Sequence, residues 1–162
     1  MSIQSESKIA EEIQNWTLVF PNQANPNGVM FGGDLLAIMD TTAAMAAKRF
    51  CQMQVSTVSV EAVHFAKPIR VGDTIKTTAK VVAVGQTSMM IKTEAFRDIG
   101  DSQLEPCVSA YYNLVAFDNQ YKKAQVPRLQ VKENTQIDHQ IAQVVKNAAQ
   151  QRQALLTKIK EL

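Results

Sequence analysis

From Gly33 to about Arg49 the chain reads GDLLAIMDTTAAMAAKR, a helical stretch with almost no polar side. Advancing about 100° per residue gathers Leu36, Met39, Ala43, Ala47 and Phe50 on one side. Ile38 and Met45 keep most of the remainder apolar, leaving Thr41 and Lys48 as a narrow polar edge. Such a helix is expected to be buried nearly all round. Ala43, Ala44, Ala46 and Ala47 would let other backbone come close, as a curved sheet wrapped around the helix requires.

The following residues supply such a sheet. In VSTVSVEAVHFA (55–66), Val58, Val60 and Ala62 alternate with Ser59, Glu61 and Val63, which reads as a long strand. PIRVGD (68–73) is a turn. TIKTTAKVVAV (74–84) and SMMIKTEAFR (88–97) form a hairpin about GQT, with Gly85 expected at positive φ. After a loop at 98–106, CVSAYYNLVAF (107–117) is a further strand. Upstream, SKIAEEIQN (7–15) reads as a short helix and WTLVF (16–20) as a short strand, followed by a loop dense in Asn and Pro. One helix followed by consecutive antiparallel strands makes the class α+β. Residues 135–161 return to helical period. Ile137, Ile141, Val144, Ala148, Leu155 and Ile159 fall on one stripe, expected to pack on this domain or on a neighbouring one.

A chain of 162 residues with 46% hydrophobic and 20% charged content fits one globular domain. Its net charge of +2 gives no reason to expect nucleic acid or an anionic membrane as partner. The N-terminus, MSIQSESKIAEE, is polar, without the apolar region of a signal peptide. Cys51 and Cys107 form no CxxC and are expected as free thiols in a reducing cytoplasm. His64 and His139 are isolated, so no metal site is expected.

Asp40 stands at the edge of the apolar stripe, between Leu36 and Ala44 at i−4 and i+4. A carboxylate there must be hydrogen-bonded, neutralised or at the wall of a cavity, because burying an unpaired charge is costly. A satisfied structural aspartate would meet that condition as well as a catalytic one. Gly32 and Gly33 open the same helix. Glycines at a helix N-terminus leave approachable N–H groups where the dipole favours developing negative charge, although they also serve a plain turn. Eight residues of helix put Gly32 and Asp40 about 12 Å apart. A carbonyl held by one lies within about 3–3.5 Å of its attacking group. If both act on one carbonyl, two copies of the chain must share the site.

The stretches NPNGVMFGGDLLAIMD, VSTVSVEAVHFAKPIRVGDTI and VVAVGQTSMMIKTEAF resemble the acyl-CoA thioesterases of the hotdog fold, most closely the bacterial acyl-CoA hydrolases related to brain acyl-CoA hydrolase. The resemblance spans roughly residues 14 to 128. It implies a hotdog domain over 1–128, with a long central helix wrapped by a curved antiparallel sheet, and a C-terminal helical extension over 129–162. It also implies hydrolysis of acyl-CoA to a carboxylic acid and CoA, with no cofactor beyond the CoA of substrate and product, in a homodimer assembling as a trimer of dimers. By resemblance Asp40 is the catalytic carboxylate, Asn25 an active-site amide, Gly32 the thioester-polarising N–H with Gly33 beside it, and Thr57 a positioner of water. Asp40 would come from one protomer, and Asn25 with Gly32 from the other. Gly85, Thr87 and Ser88 match a turn near the CoA, or are simply a hairpin turn. Members often carry Val-Val-Thr where this chain has VST at 55–57; Ser56 should face away from Thr57. Two alternatives remain. An acyl-thioester hydratase or dehydratase would want a histidine beside the acid, and the GHFP type of signature is missing. A non-enzymatic acyl-CoA-binding regulator would want a helix-turn-helix segment, for which the N-terminus is too short.

Overall fold

The computed structural model describes residues 6–161; the first five residues of the polar N-terminus and the last of the C-terminal extension lie outside it. The strands are β1 (Ser7–Lys8), β2 (Ile13–Leu18), β3 (Gln54–Phe65), β4 (Thr74–Val84), β5 (Ser88–Asp98), β6 (Leu104–Phe117) and β7 (Arg128–Leu129). The helices are α1 (Gly32–Cys51) and α2 (Gln136–Lys160). Five strands form one sheet in the order β2-β4-β5-β6-β3, antiparallel throughout, while β1 and β7 pair in parallel.

The sheet wraps α1 as its alanines require. Met39, Ala43 and Ala47 are fully buried against Ile75, Met89, Ile91, Leu114 and Ala116 from three successive strands. Short side chains let the sheet approach the helix closely. Thr42 is buried as well; its hydroxyl donates to the Ile38 carbonyl at 2.9 Å and lies 3.3 Å from the Thr77 hydroxyl. The helix is less enclosed than its composition predicts. Ala37, Thr41, Met45 and Lys48 remain exposed in the single chain.

Four readings need correction. Residues 7–15 form no helix. Ile13–Leu18 pairs with β4 from Ile13↔Ala79 to Leu18↔Thr74, with half-buried Ile13, Asn15 and Thr17 alternating with exposed neighbours. A nine-residue helix is marginal in water, whereas a sheet edge satisfies every second backbone group at once. The last strand begins at Leu104, and Pro106 enters it beside a register shift between Ala95 and Phe96, where a missing donor is tolerated. Gly85 is not among the positive-φ glycines, which are Gly28, Gly72 and Gly100. Its position is restricted by Ser88, whose hydroxyl oxygen lies 2.6 Å from where a Cβ would sit.

The fourth correction concerns α2. This helix lies on the outer face of the sheet but does not dock through its longest apolar stripe. Ala142 is fully buried with Val82, Ala83, Met90 and Tyr111, and Val145 packs beside them. Lys92 pairs with Asp138 at 2.9 Å, the His139 ring nitrogen meets the Val82 carbonyl at 2.8 Å, and Arg152 reaches Glu61 at 2.6 Å. Ile137, Ile141, Val144, Leu155 and Ile159 stay exposed, about 100° round the helix from the docked side. With α1 on one face and α2 on the other, β4 is buried on both sides along much of its length. No helix among the described residues is long and apolar enough to cross a membrane.

Candidate active site

The loop before α1 is organised by Asn25. Its side-chain oxygen accepts from the backbone N–H groups of Asn27 at 3.0 Å and Val29 at 3.1 Å. Its own N–H donates to the Val29 carbonyl at 2.8 Å, and the Gly28 N–H donates back to Asn25 at 2.9 Å. Gly28 completes the turn at φ 73°, a conformation that favours glycine. Of the Asn25 amide, only the NH2 remains without a partner among the described residues, so Asn25 is a loop builder with one donor to spare. The Phe31 N–H donates to Gln23 and the Met30 N–H to Ile69, which fixes where the helix starts.

Phe31 is the extended N-cap and offers no side-chain cap. The N–H groups of Gly32 and Gly33 therefore keep the free character of any first helical turn. A Cβ on Gly32 would lie 3.0 Å from the Phe65 ring, whereas one on Gly33 would meet nothing within 4 Å. Gly32 also borders an apolar hollow of about 270 Å³, whose walls include Met30, Leu35, Phe65, Ile69 and Val108.

Two turns along α1, Asp40 is half-buried and accepts a 2.6 Å hydrogen bond from the Thr57 hydroxyl of β3. Thr57 stands opposite Leu114 of β6, on the side of the sheet that faces the helix. Tyr112, two residues before Leu114, lies on that same face. Its hydroxyl donates to the Leu36 carbonyl at 2.8 Å, one turn before Asp40. Burial, and then the nearby Asp40 charge, push the Tyr112 pKa well above its ordinary value, so the phenol stays neutral. Sequence reading missed Tyr112. Only strand parity, counted from its inward neighbours Ala110 and Leu114, marks it out from Tyr111.

The expected site residues thus fall in three places. Asp40 and Thr57 touch. Asn25, Gly32 and Gly33 cluster at the start of the same helix, a separation along α1 of about 12 Å. Gly85, Thr87 and Ser88 form the turn between β4 and β5, where the Gly85 N–H donates to Ser88 at 2.8 Å and Thr87 accepts from Ala116 at 2.9 Å. Gly85 and Ser88 line a groove on the outer face, with the sheet between them and Asp40. Among the described residues, no group of three His, Cys, Asp or Glu could hold a metal ion. Cys51 and Cys107 are free, buried thiols.

The sequence profile of the thioesterase superfamily matches residues 27–102. The acyl-CoA thioester hydrolase YciA of Escherichia coli K12 is 36% identical over 117 residues, covering 68% of this chain and 87% of that protein. The chain belongs to the acyl-CoA thioester hydrolases of the thioesterase superfamily. Among solved structures, the acyl-CoA hydrolase of Staphylococcus aureus, determined with butyryl coenzyme A, coenzyme A and coenzyme A disulfide, superposes on this hydrolase with a TM-score of 0.90. Its identity is 26%, and the match covers 96% of this chain and 97% of that one. The hexameric thioesterase y2039 of Yersinia pestis is 34% identical with a TM-score of 0.66, over 73% of this chain and 96% of its own. The architecture of this hydrolase is accordingly the hotdog fold. Variants of the S. aureus enzyme carry alanine in place of an asparagine, an aspartate and a threonine, spaced along their chain as Asn25, Asp40 and Thr57 are here.

Proposed function

We propose that this hydrolase cleaves acyl-CoA at a site built by two copies of the chain, with Asp40 of one and the Gly32 N–H of the other acting on the same thioester. The observation that carries this reading is the 2.6 Å bond from Thr57 to Asp40. It gives a carboxylate on a largely apolar helix a partner that orients it without neutralising it. A hydroxyl has one proton and two lone pairs. With its proton on Asp40, Thr57 can only accept from a water. A water donating one hydrogen to Thr57 and the other to the free carboxylate oxygen keeps its own lone pairs for attack. That arrangement favours Asp40 as general base over direct attack by the carboxylate. The thioester oxygen takes the Gly32 N–H at the positive end of α1, and the spare NH2 of Asn25 is available to the carbonyl or the water. Water adds to the carbonyl carbon as its proton passes to Asp40. The carbon–sulfur bond then breaks, the sulfur leaves as CoA thiol on receiving that proton, and the acid is released. The hollow beside Gly32 suits an aliphatic acyl chain.

Edge strand β3 supports the shared site. Val58, Val60, Val63 and Phe65 are all exposed along it, an apolar unpaired edge of the kind that recruits another strand. We infer a homodimer joined along β3, which would also cover the open side of α1, and assembly of dimers into a hexamer as in the Yersinia relative. The hydratase alternative finds no support within the chain: His64 stands opposite Ser109, five residues along β6 from the Leu114 opposite Thr57, which puts it about 17 Å from Thr57.

The test is release of free thiol from a panel of acyl-CoA esters by the wild type and by Asp40→Asn. The wild type is expected to liberate CoA. The variant should lose at least about 10³-fold in kcat with its fold intact by circular dichroism, since the base is gone. Near-normal turnover by the variant would remove Asp40 from the chemistry, and a wild type inert to every ester would remove the reading itself.

A further inference from the structure

We propose, resting on the hydrolase reading above, that Tyr112 is a positioning residue for the hydrolysis: its hydroxyl pins the turn of α1 that carries Asp40, so that the carboxylate is held through its backbone as well as through its side chain. Tyr112 is 1% exposed, within the core that packs on α1. Buried there, it cannot touch substrate and can act only through what it bonds. That bond runs from its hydroxyl to the Leu36 carbonyl at 2.8 Å.

The Leu36 carbonyl is also the helical acceptor of the Asp40 N–H, four residues on. A carbonyl has two lone pairs, so it takes the phenol and the amide together. Tyr112 thereby fixes the peptide group from which Asp40 hangs, while Thr57 fixes the Asp40 Oδ1 at 2.6 Å. Both ties refer to one strand. Thr57 stands opposite Leu114 of β6, and Tyr112 lies two residues before Leu114 on that strand.

The rest of the contact between α1 and the sheet sets no such position. Met39, Ala43 and Ala47 meet the sheet through apolar surface, whose attraction is non-directional. Among the described residues, the one other polar contact between α1 and the five strands is that of Thr42 with Thr77, 3.3 Å apart. There each hydroxyl gives its single proton elsewhere, Thr42 to the Ile38 carbonyl and Thr77 to the Asn15 carbonyl. A general base needs closely held geometry, since about 1 Å of misplacement can cost on the order of 10²-fold. The phenol keeps the proton that the bond to Leu36 requires, because burial and then the Asp40 charge raise its pKa.

The experiment removes the hydroxyl and keeps the ring, as Tyr112→Phe. The Leu36 carbonyl retains the Asp40 N–H, so no buried polar group is orphaned and the fold should persist. With butyryl-CoA, kcat should fall about tenfold while KM stays within about twofold. Amide hydrogen exchange should speed up at Asp40 and stay as in the wild type over the second half of α1. In an Asp40→Asn background the same substitution should lower the residual kcat by less than about twofold, because no base is left to misplace. A merely structural role would lower the rate by the same factor in both backgrounds. Tyr111→Phe, on the opposite face of the sheet against α2, controls for loss of a phenol and should leave kcat unchanged. Wild-type kcat in Tyr112→Phe would overturn the inference, as would equal factors in the two backgrounds or unchanged exchange at Asp40. A wild type inert to butyryl-CoA would overturn the hydrolase reading as well, and is told apart from the other outcomes by that inertness.

Discussion

The side chain of Asn25 has two duties, and its two ends separate them. The oxygen holds the loop through Asn27 and Val29, while the NH2, without a partner among the described residues, is the end the proposed reaction would use. Asn25→Ala removes both and should lower kcat/KM on the order of 10²-fold, as for loss of one transition-state donor, while also lowering Tm. Asn25→Asp keeps the acceptor that folds the loop, loses the donor and adds a negative charge that a developing oxyanion would disfavour. Its Tm should stay near wild type while kcat/KM falls about as far as in the alanine variant. Thermal melts beside initial rates read this directly: wild-type kinetics in the aspartate variant would confine Asn25 to loop building. Legibility in the sequence differs among the three polar groups at the site. Asp40 stands out because a carboxylate on an apolar helix demands an explanation. Thr57 is one of several hydroxyls on β3 and is picked out only by resemblance. Tyr112 is invisible, because its bond goes to a backbone carbonyl 76 positions earlier in the chain.

At the scale of elements, α1 and the four long strands were legible because their periods are unambiguous and their lengths ordinary. The readings that failed lie where tertiary contact decides. Ile9 and Ile13 suit a helical face, but Ile13, Asn15 and Thr17 suit a strand equally well, and the free edge of β4 settles the matter. The stripe of α2 is real, yet the helix docks through Ala142 and Val145, because Asp138, His139 and Arg152 find partners on the sheet from that side. Gly32 and Gly33 look alike in sequence and differ in surroundings. The ring of Phe65 closes on Gly32 alone. Gly32→Ala should therefore lower kcat/KM by about 10- to 100-fold through crowding at the N–H. Tm should change little, since Phe65 is half-exposed and its ring can yield. Gly33→Ala should lose less activity. Rates and melts on the two variants check this; equal, near-wild-type kinetics would mean that substrate does not approach the start of α1.

At the scale of the molecule, the proposed reaction divides the single chain into two half-sites that one helix keeps apart. Asp40 with Thr57 and Gly32 with Asn25 are fixed about 12 Å from each other by the rigidity of α1, whatever the side chains do. In the proposed dimer, a two-fold partner would bring each half to the complementary half of its neighbour, so that a dimer would carry two composite sites. This arrangement has a consequence that no single-chain site shares. Co-express Asp40→Asn with Asn25→Ala, each nearly inactive alone. In a mixed dimer, one site draws Asp40 from the Asn25→Ala protomer and Asn25 from the Asp40→Asn protomer, and is fully wild type; the other site carries both lesions. With random pairing, half the dimers are mixed and half of their sites are intact, so about a quarter of wild-type activity should return. Purification through two different affinity tags, one per variant, enriches the mixed dimer and should raise the figure to about half. If Asp40 and Asn25 instead served one site within one chain, every site in the mixture would carry a lesion. Activity would then stay at the level of the separate variants, and the two-fold reading would fall while leaving the role of Asp40 to be judged on its own substitution.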